Sequence, residues 1–233
     1  MRRILLTLLL VPAVLVGQTP PPKHVPFLEE AQLKGALQLP DPPASGSLAE
    51  ATDRLVVRLA MQFRTTEQVR WAQEVDEARI WVNAAVLGPG FAPEKLPTCA
   101  AFFDRLRTEV YLASREPKKR FNRPRPHQAD PVIQVPPPIP GSPGFPSGHA
   151  VQIYSWLNVL SELFPDRRTD LETFADRLSW ARIILGVHYP TDLVAGRILA
   201  DQLLKAYRET TDWKAGIEAC QKELRLAGLR KAS

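Results

Sequence analysis

The sequence predicts an all-α chain, and three observations carry that prediction. Apolar residues recur three and four apart in segment after segment, helix-starting residues precede several of those segments, and proline and glycine fall between them. Only residues 132–135 hint at a strand, and no internal repeat is present.

The start of the chain stands apart from this pattern. Met1, Arg2 and Arg3 form a short basic opening, residues 4–16 are apolar except for Thr7 and Pro12, and Gly17 is a small residue suited to cleavage. That is the layout of a secretory signal peptide over residues 1–17, shorter than the about 20 apolar residues of a membrane span. An uncleaved amino-terminal anchor is the alternative. No cysteine follows where a lipid would attach, and no later segment is long and apolar enough to span a bilayer. The expectation is an exported protein, periplasmic or secreted, without an integral membrane segment. Without the leader the formal charge falls from +5 to about +3, an excess that suits small anions and does not by itself call for nucleic acid. About 215 residues fit one domain.

Residues 18–43 are rich in proline, which stiffens an extended chain, and are expected to lie as an arm on the surface. The helical domain is expected over residues 44–233. Ser47 and Glu50 form a capping box, followed by Leu48, Ala51, Leu55, Leu59 and Phe63 at helical spacing. A second helix is expected over residues 66–86, stopped by Gly88 and Pro89. A third starts near Thr98 and carries Phe102, Phe103, Leu106, Val110 and Leu112. After the basic run at 118–125, prolines and glycines make the stretch to Pro146 irregular, and so long a loop is usually functional or disordered. A fourth helix opens near Gly148 with Val151, Ile153, Trp156, Leu157 and Leu160. The next is capped by Thr169 and continues to about Leu185. Asp192 can cap a sixth that ends near Tyr207, and a last helix covers residues 211–226. Cys99 and Cys220 are the only cysteines. In an exported protein they suit a disulfide contributing about 4 kcal/mol in the chain-entropy model, and two buried thiols are the alternative.

Three blocks concentrate the chemistry. Lys118, Arg125 and Arg182 are fixed cations, and guanidinium forks match phosphate oxygens with paired hydrogen bonds. Ser147, Gly148 and His149 sit where a loop becomes a helix, so unsatisfied amides, a close-approach glycine and a hydroxyl face the same anion. His149 can give a proton to a departing oxygen. His188 lies between Gly186 and Pro190, in a short connection, and Asp192 four residues later can fix its tautomer and leave the other nitrogen free to attack. No ligand cluster at familiar metal spacing is present, so neither metal nor cofactor is expected.

These blocks resemble the three-part signature of the type 2 phosphatidate phosphatase superfamily. The matching residues are Lys118, Arg125 and Pro126, then Pro146, Ser147, Gly148 and His149, then Arg182, His188 and Asp192. Ala181 stands where the signature has serine, which removes a hydroxyl and leaves the reacting groups intact. The resemblance covers about residues 40–207. The leader and the proline run at 39–43 make the chain most similar to the bacterial class A non-specific acid phosphatases. That resemblance implies a helical bundle of the acid phosphatase/vanadium haloperoxidase type acting on small phosphomonoesters. His188 would be the nucleophile forming a phosphohistidine, Asp192 its orienting carboxylate, and His149 the general acid and then the base. Lys118, Arg125, Arg182, Ser147 and the Gly148 amide would bind phosphoryl oxygens, with Arg123 as an extra cation.

The competing readings are a vanadium-dependent haloperoxidase with His188 as a metal ligand, an exported lipid phosphatase, and a phosphate-binding module without turnover. A nucleic-acid binder on the 118–125 run has Phe121 as its only aromatic. A homo-oligomer is left open.

Overall fold

A computed structural model describes residues 26–29, 32–34, 38–76 and 79–230. The leader and part of the proline-rich arm lie outside these residues. Among the described residues all regular structure is helical, and residues 132–135 form no strand. The helices are α1 (Leu48–Phe63), α2 (Thr66–Glu74), α3 (Ala84–Leu87), α4 (Pro97–Phe121), α5 (Pro126–Ala129), α6 (Gly148–Leu163), α7 (Arg168–Ile184), α8 (Pro190–Tyr207) and α9 (Thr211–Leu226).

Helix α6 is the axis of the bundle. Val151, Trp156, Leu157 and Leu160 are buried on it, and it packs chiefly on α8, then on α7 and α4. The approach to α8 is close enough to require glycine. A Cβ on Gly196 would stand 2.6 Å from Ala150 Cβ and 2.9 Å from the Ser147 carbonyl oxygen. That contact holds the start of α6 against the first turns of α8, where two of the chemical blocks lie. Leu160 has no exposed surface, and cutting it to alanine would cost about 2–5 kcal/mol.

The described parts of the arm do not all lie on the surface as expected. Phe27, Leu28 and Leu39 are buried, and the Phe27 ring sits among Phe102, Tyr207 and Trp213. The Phe27 and Leu28 amides donate to the buried Glu109 carboxylate at 2.6 and 3.0 Å. Aromatic burial outweighs the preference of a proline-rich segment for solvent.

Helix α1 begins as expected, with Ser47 Oγ accepting the Glu50 amide, but Glu50 reaches back to the Gly46 amide instead of closing the box. Its apolar stripe faces outward: Leu48 is 83% and Phe63 71% exposed, while Val57 and Asp53 are buried. Periodicity found the helix and mistook its inner face. The second expected helix is broken. α2 ends at Glu74, and a 3-10 turn (Ile80–Asn83) leads into the short α3.

Helix α4 runs farther than expected, through Pro117 to Phe121, and Asn122 ends it in the left-handed region at φ 43°. Lys118 is therefore on its last turn. Leu112 is 41% exposed and not part of the core. The start of α4 is capped from a distance, since the Thr98 and Cys99 amides donate to the Glu223 carboxylate. Cys99 and Cys220 are buried, unbridged thiols, with Cys99 Sγ 3.8 Å from the Cys220 carbonyl oxygen. Thr169 lies inside α7, which is entered through a 3-10 turn (Pro165–Arg167). Asp192 occupies the third position of α8 and not its cap; its Oδ2 accepts the Tyr189 amide at 2.9 Å.

Candidate active site

The site lies where the end of α4, the start of α6 and the start of α8 meet the irregular loop. Lys118, Arg125, Gly148, His149 and His188 line one cavity of about 670 Å³, within the size range of small-molecule pockets. Among the described residues its wall carries cations and imidazoles and no carboxylate.

His188 is fixed on both sides. Nδ1 stands 3.3 Å from Asp192 Oδ2, so the proton belongs on Nδ1, and Nε2 keeps its lone pair 3.0 Å from Arg125 Nη1. Burial, Arg125, Lys118 and Arg182 hold the imidazole neutral, well below its ordinary pKa. A neutral ring with an oriented free nitrogen is what a nucleophile requires.

Asp192 is itself held from behind. Arg123 Nη1 donates to its Oδ1 at 2.6 Å, and Arg123 Nη2 to Asp53 Oδ2 at 2.8 Å. Thr191 closes the set through its amide and hydroxyl, both directed at Asp53. Arg123 is not an extra phosphate cation: it lies behind the carboxylate and does not line the cavity. Burial raises the Asp192 pKa and Arg123 opposes that rise. The guanidinium thus keeps an anion beside His188 in a buried place.

Lys118 and Arg125, the inner cations of the cavity, are desolvated. Lys118 is pushed down to about 7 by burial and by Arg125, and Arg125 to about 10 by burial. Lys118 Nζ donates to the Pro143 carbonyl oxygen, and Arg125 Nε to that of Ser142, both at 2.6 Å. The amino end of α6 adds the Gly148 amide, which has no partner within its helix. Ser147 Oγ is fully buried and accepts the Ala150 amide, which leaves its proton free to donate. The Ser147 amide donates to the Asp192 carbonyl oxygen at 2.9 Å, joining the second block to the third.

His149 is the wall between two cavities. It lines the first and also a second of about 390 Å³, where Arg182 and Asp76 lie. Its ring is 41% exposed, and Nε2 is 3.0 Å from the Asp76 carbonyl oxygen and 3.3 Å from its Oδ1. Although the ring reaches the cavity surface, desolvation by the protein around it, with Arg125 and Lys118, pushes its pKa down to about 4. Arg182 is buried, pairs with Asp76, and leaves its Nε without a partner among the described residues. The structure therefore sets Arg182 one cavity away from Lys118 and Arg125, near enough to His188 to help keep it neutral.

Asp53, Asp76 and Thr191 were not found from the sequence. Asp53 hides under the apolar stripe of α1, and Asp76 enters the site only because the second helix breaks after Glu74. Neither belongs to a local motif.

Residues 106–210, which hold all three blocks, match the PAP2 superfamily. The chain carries a PAP2 superfamily domain over these residues. An acid phosphatase of Zymomonas mobilis is 29% identical over 207 residues, covering 82% of this chain and 75% of that protein. A non-specific acid phosphatase of Providencia stuartii is 23% identical over 207 residues, covering 84% of each. In fold, this PAP2 chain is similar to the crystal structure of a transmembrane PAP2-type phosphatidylglycerolphosphate phosphatase from Bacillus subtilis. The TM-score is 0.52 at 18% identity, over 70% of this chain and 86% of that one. Among the described residues of the present chain, no helix is long and apolar enough to cross a membrane.

Proposed function

We propose that this PAP2 protein is a metal-independent acid phosphatase of broad specificity that works through a phosphohistidine. Its family and its acid phosphatase relatives make it a phosphomonoester hydrolase. The observation that carries the finer reading is the His188 ring, neutral, buried, tied through Nδ1 to Asp192 and with its Nε2 lone pair turned to Arg125 on the cavity wall.

Lys118, Arg125 and the Gly148 amide bind the phosphoryl oxygens, with Ser147 next to that amide and Arg182 one cavity away, beyond His149. The Nε2 lone pair of His188 attacks phosphorus as the bond to the leaving oxygen breaks. His149 gives that oxygen its proton and becomes neutral. His149 then takes a proton from water, whose oxygen attacks phosphorus, and the phosphorus–nitrogen bond breaks to return neutral His188 and inorganic phosphate. Cations and amides fixed around the equatorial oxygens supply the electrostatic stabilisation phosphoryl transfer needs. Bringing a phosphate dianion to Lys118 and Arg125 offsets the two charges that depress His149, so substrate binding favours its protonated form. We also propose export, on the strength of the leader.

One panel tests the reading: purified protein with phenyl phosphate, with a phosphatidate, and with peroxide, halide and vanadate. Hydrolysis of phenyl phosphate that survives chelator and is inhibited by vanadate is expected. Loss of activity on chelation, restored by zinc or magnesium, would overturn metal independence. Halide oxidation in place of hydrolysis would overturn the phosphatase.

A further inference from the structure

Beyond the phosphoryl site, the mouth of the same cavity carries charge that the reaction does not use. Two rows of side chains run along α4 at i, i+4 spacing, which places each row on one face of a helix. The inner row is Ser114 and Lys118, continued by Asn122 just past the helix end; the outer row is Tyr111, Arg115 and Lys119, and both line the cavity. Other arginines of α4 are paired, Arg105 with Asp212 and Arg120 with Asp41. Arg115 and Lys119 are exposed and have no ion-pair or hydrogen-bond partner among the described residues. Glu116, their neighbour on the helix, does not line the cavity. Tyr111, 64% exposed, adds an aromatic face one turn from Arg115.

We infer that this outer row is a leaving-group subsite, which selects phosphomonoesters whose leaving group carries a ring and a second anionic group. The inference rests on the phosphatase reading above. The transferring phosphoryl group meets Lys118 in the inner row. A leaving group directed toward the cavity mouth then passes Tyr111 and meets Arg115 and Lys119, less than two helical turns away. A cavity of about 670 Å³ has room for such a group beside the phosphate, and among the described residues no carboxylate lines its wall. Two exposed cations without partners among the described residues break no ion pair when they turn toward an anion, and what opposes the turn is side-chain entropy. Being exposed, each contributes a modest, salt-sensitive amount.

The test compares phenyl phosphate, 4-carboxyphenyl phosphate and 1,4-phenylene bisphosphate on the wild type and on an Arg115→Ala/Lys119→Ala variant. The readout is the ratio of kcat/KM for each doubly anionic substrate to that for phenyl phosphate, which cancels any general effect of the substitutions. The ratio for the bisphosphate is expected to fall about 5-fold in the variant, and the wild-type preference to weaken with added salt. An equal fall for the carboxylate would mean that the subsite reads charge, and a fall for the bisphosphate alone that it reads phosphate; either supports it. An unchanged ratio in an active variant would overturn the subsite and leave the phosphatase standing. No hydrolysis of any of the three by the wild type would overturn both.

Discussion

The two histidines of the site are held in opposite ways. His188 is 1% exposed and lies at the front of a buried chain that runs through Asp192 to Arg123, Thr191 and Asp53. His149 is 41% exposed and, among the described residues, is held by Asp76 at a break between helices. The difference matches their tasks. A nucleophile must present one nitrogen along one line, which a lattice of buried hydrogen bonds enforces. A group that is acid in one step and base in the next must serve a leaving oxygen and then a water, and it gains from a looser mounting.

The largest effect expected from this contrast is at His188. His188→Ala should fold, since the change leaves Asp192 paired with Arg123, and should lose turnover down to background. Turnover near the wild-type level in a folded variant would break the assignment. Next comes the lattice behind it. Arg123→Ala leaves Asp53 and Asp192 buried without their shared cation, at a cost of about 3–5 kcal/mol that urea unfolding would show. A variant as stable as the wild type would mean that the lattice does not hold the site.

The looser side should give smaller, substrate-dependent losses. His149→Ala should slow phenyl phosphate hydrolysis by about 10²-fold or more and p-nitrophenyl phosphate hydrolysis much less, because a stable leaving oxygen needs little protonation. Asp76→Asn should follow the same leaving-group pattern, at about 10-fold on phenyl phosphate, if Asp76 acts by positioning His149. Equal losses on both substrates would assign Asp76 to Arg182 and phosphate binding instead.

This contrast also separates what was legible in the sequence from what was not. The His188 side announces itself, because Arg182, His188 and Asp192 fall within one turn-and-helix segment whose spacing is local. Their supports were hidden, because Arg123 and Asp53 meet only when α1 packs beneath the start of α8, 70 residues apart in the chain. Arg123 looked like a phosphate ligand because its type fits that role, and only its burial behind Asp192 excludes it. Asp76 was concealed by a helical period running unbroken from Thr66, so the turn that delivers it left no mark. The helices were legible wherever capping residues and apolar spacing agreed, as in α6 and α9. In α1 the apolar stripe pointed to the wrong face, since burial there serves Asp53 as well as Val57.

A graded effect is expected in pH. Lys118, lowered to about 7, is charged below that value and loses its charge as pH rises through it. For the free enzyme this removes a phosphate-binding cation, so the decline of kcat/KM that begins as His149 loses its proton above about pH 4 should steepen above about pH 7. A bound phosphoryl dianion raises the lysine pKa, so kcat should hold to higher pH than kcat/KM. Coincident profiles for the two would show that Lys118 does not meet the phosphate.

The central claim is that Nε2 of His188 receives the phosphoryl group, and the most direct measurement is to stop turnover under alkaline denaturing conditions and map the phosphorylated peptide. The account predicts phosphate on Nε2 of His188, because Nδ1 is committed to Asp192, and none in His188→Ala. Phosphate on His149 or Ser147, or turnover with no phosphoenzyme formed at a rate able to support it, would contradict it.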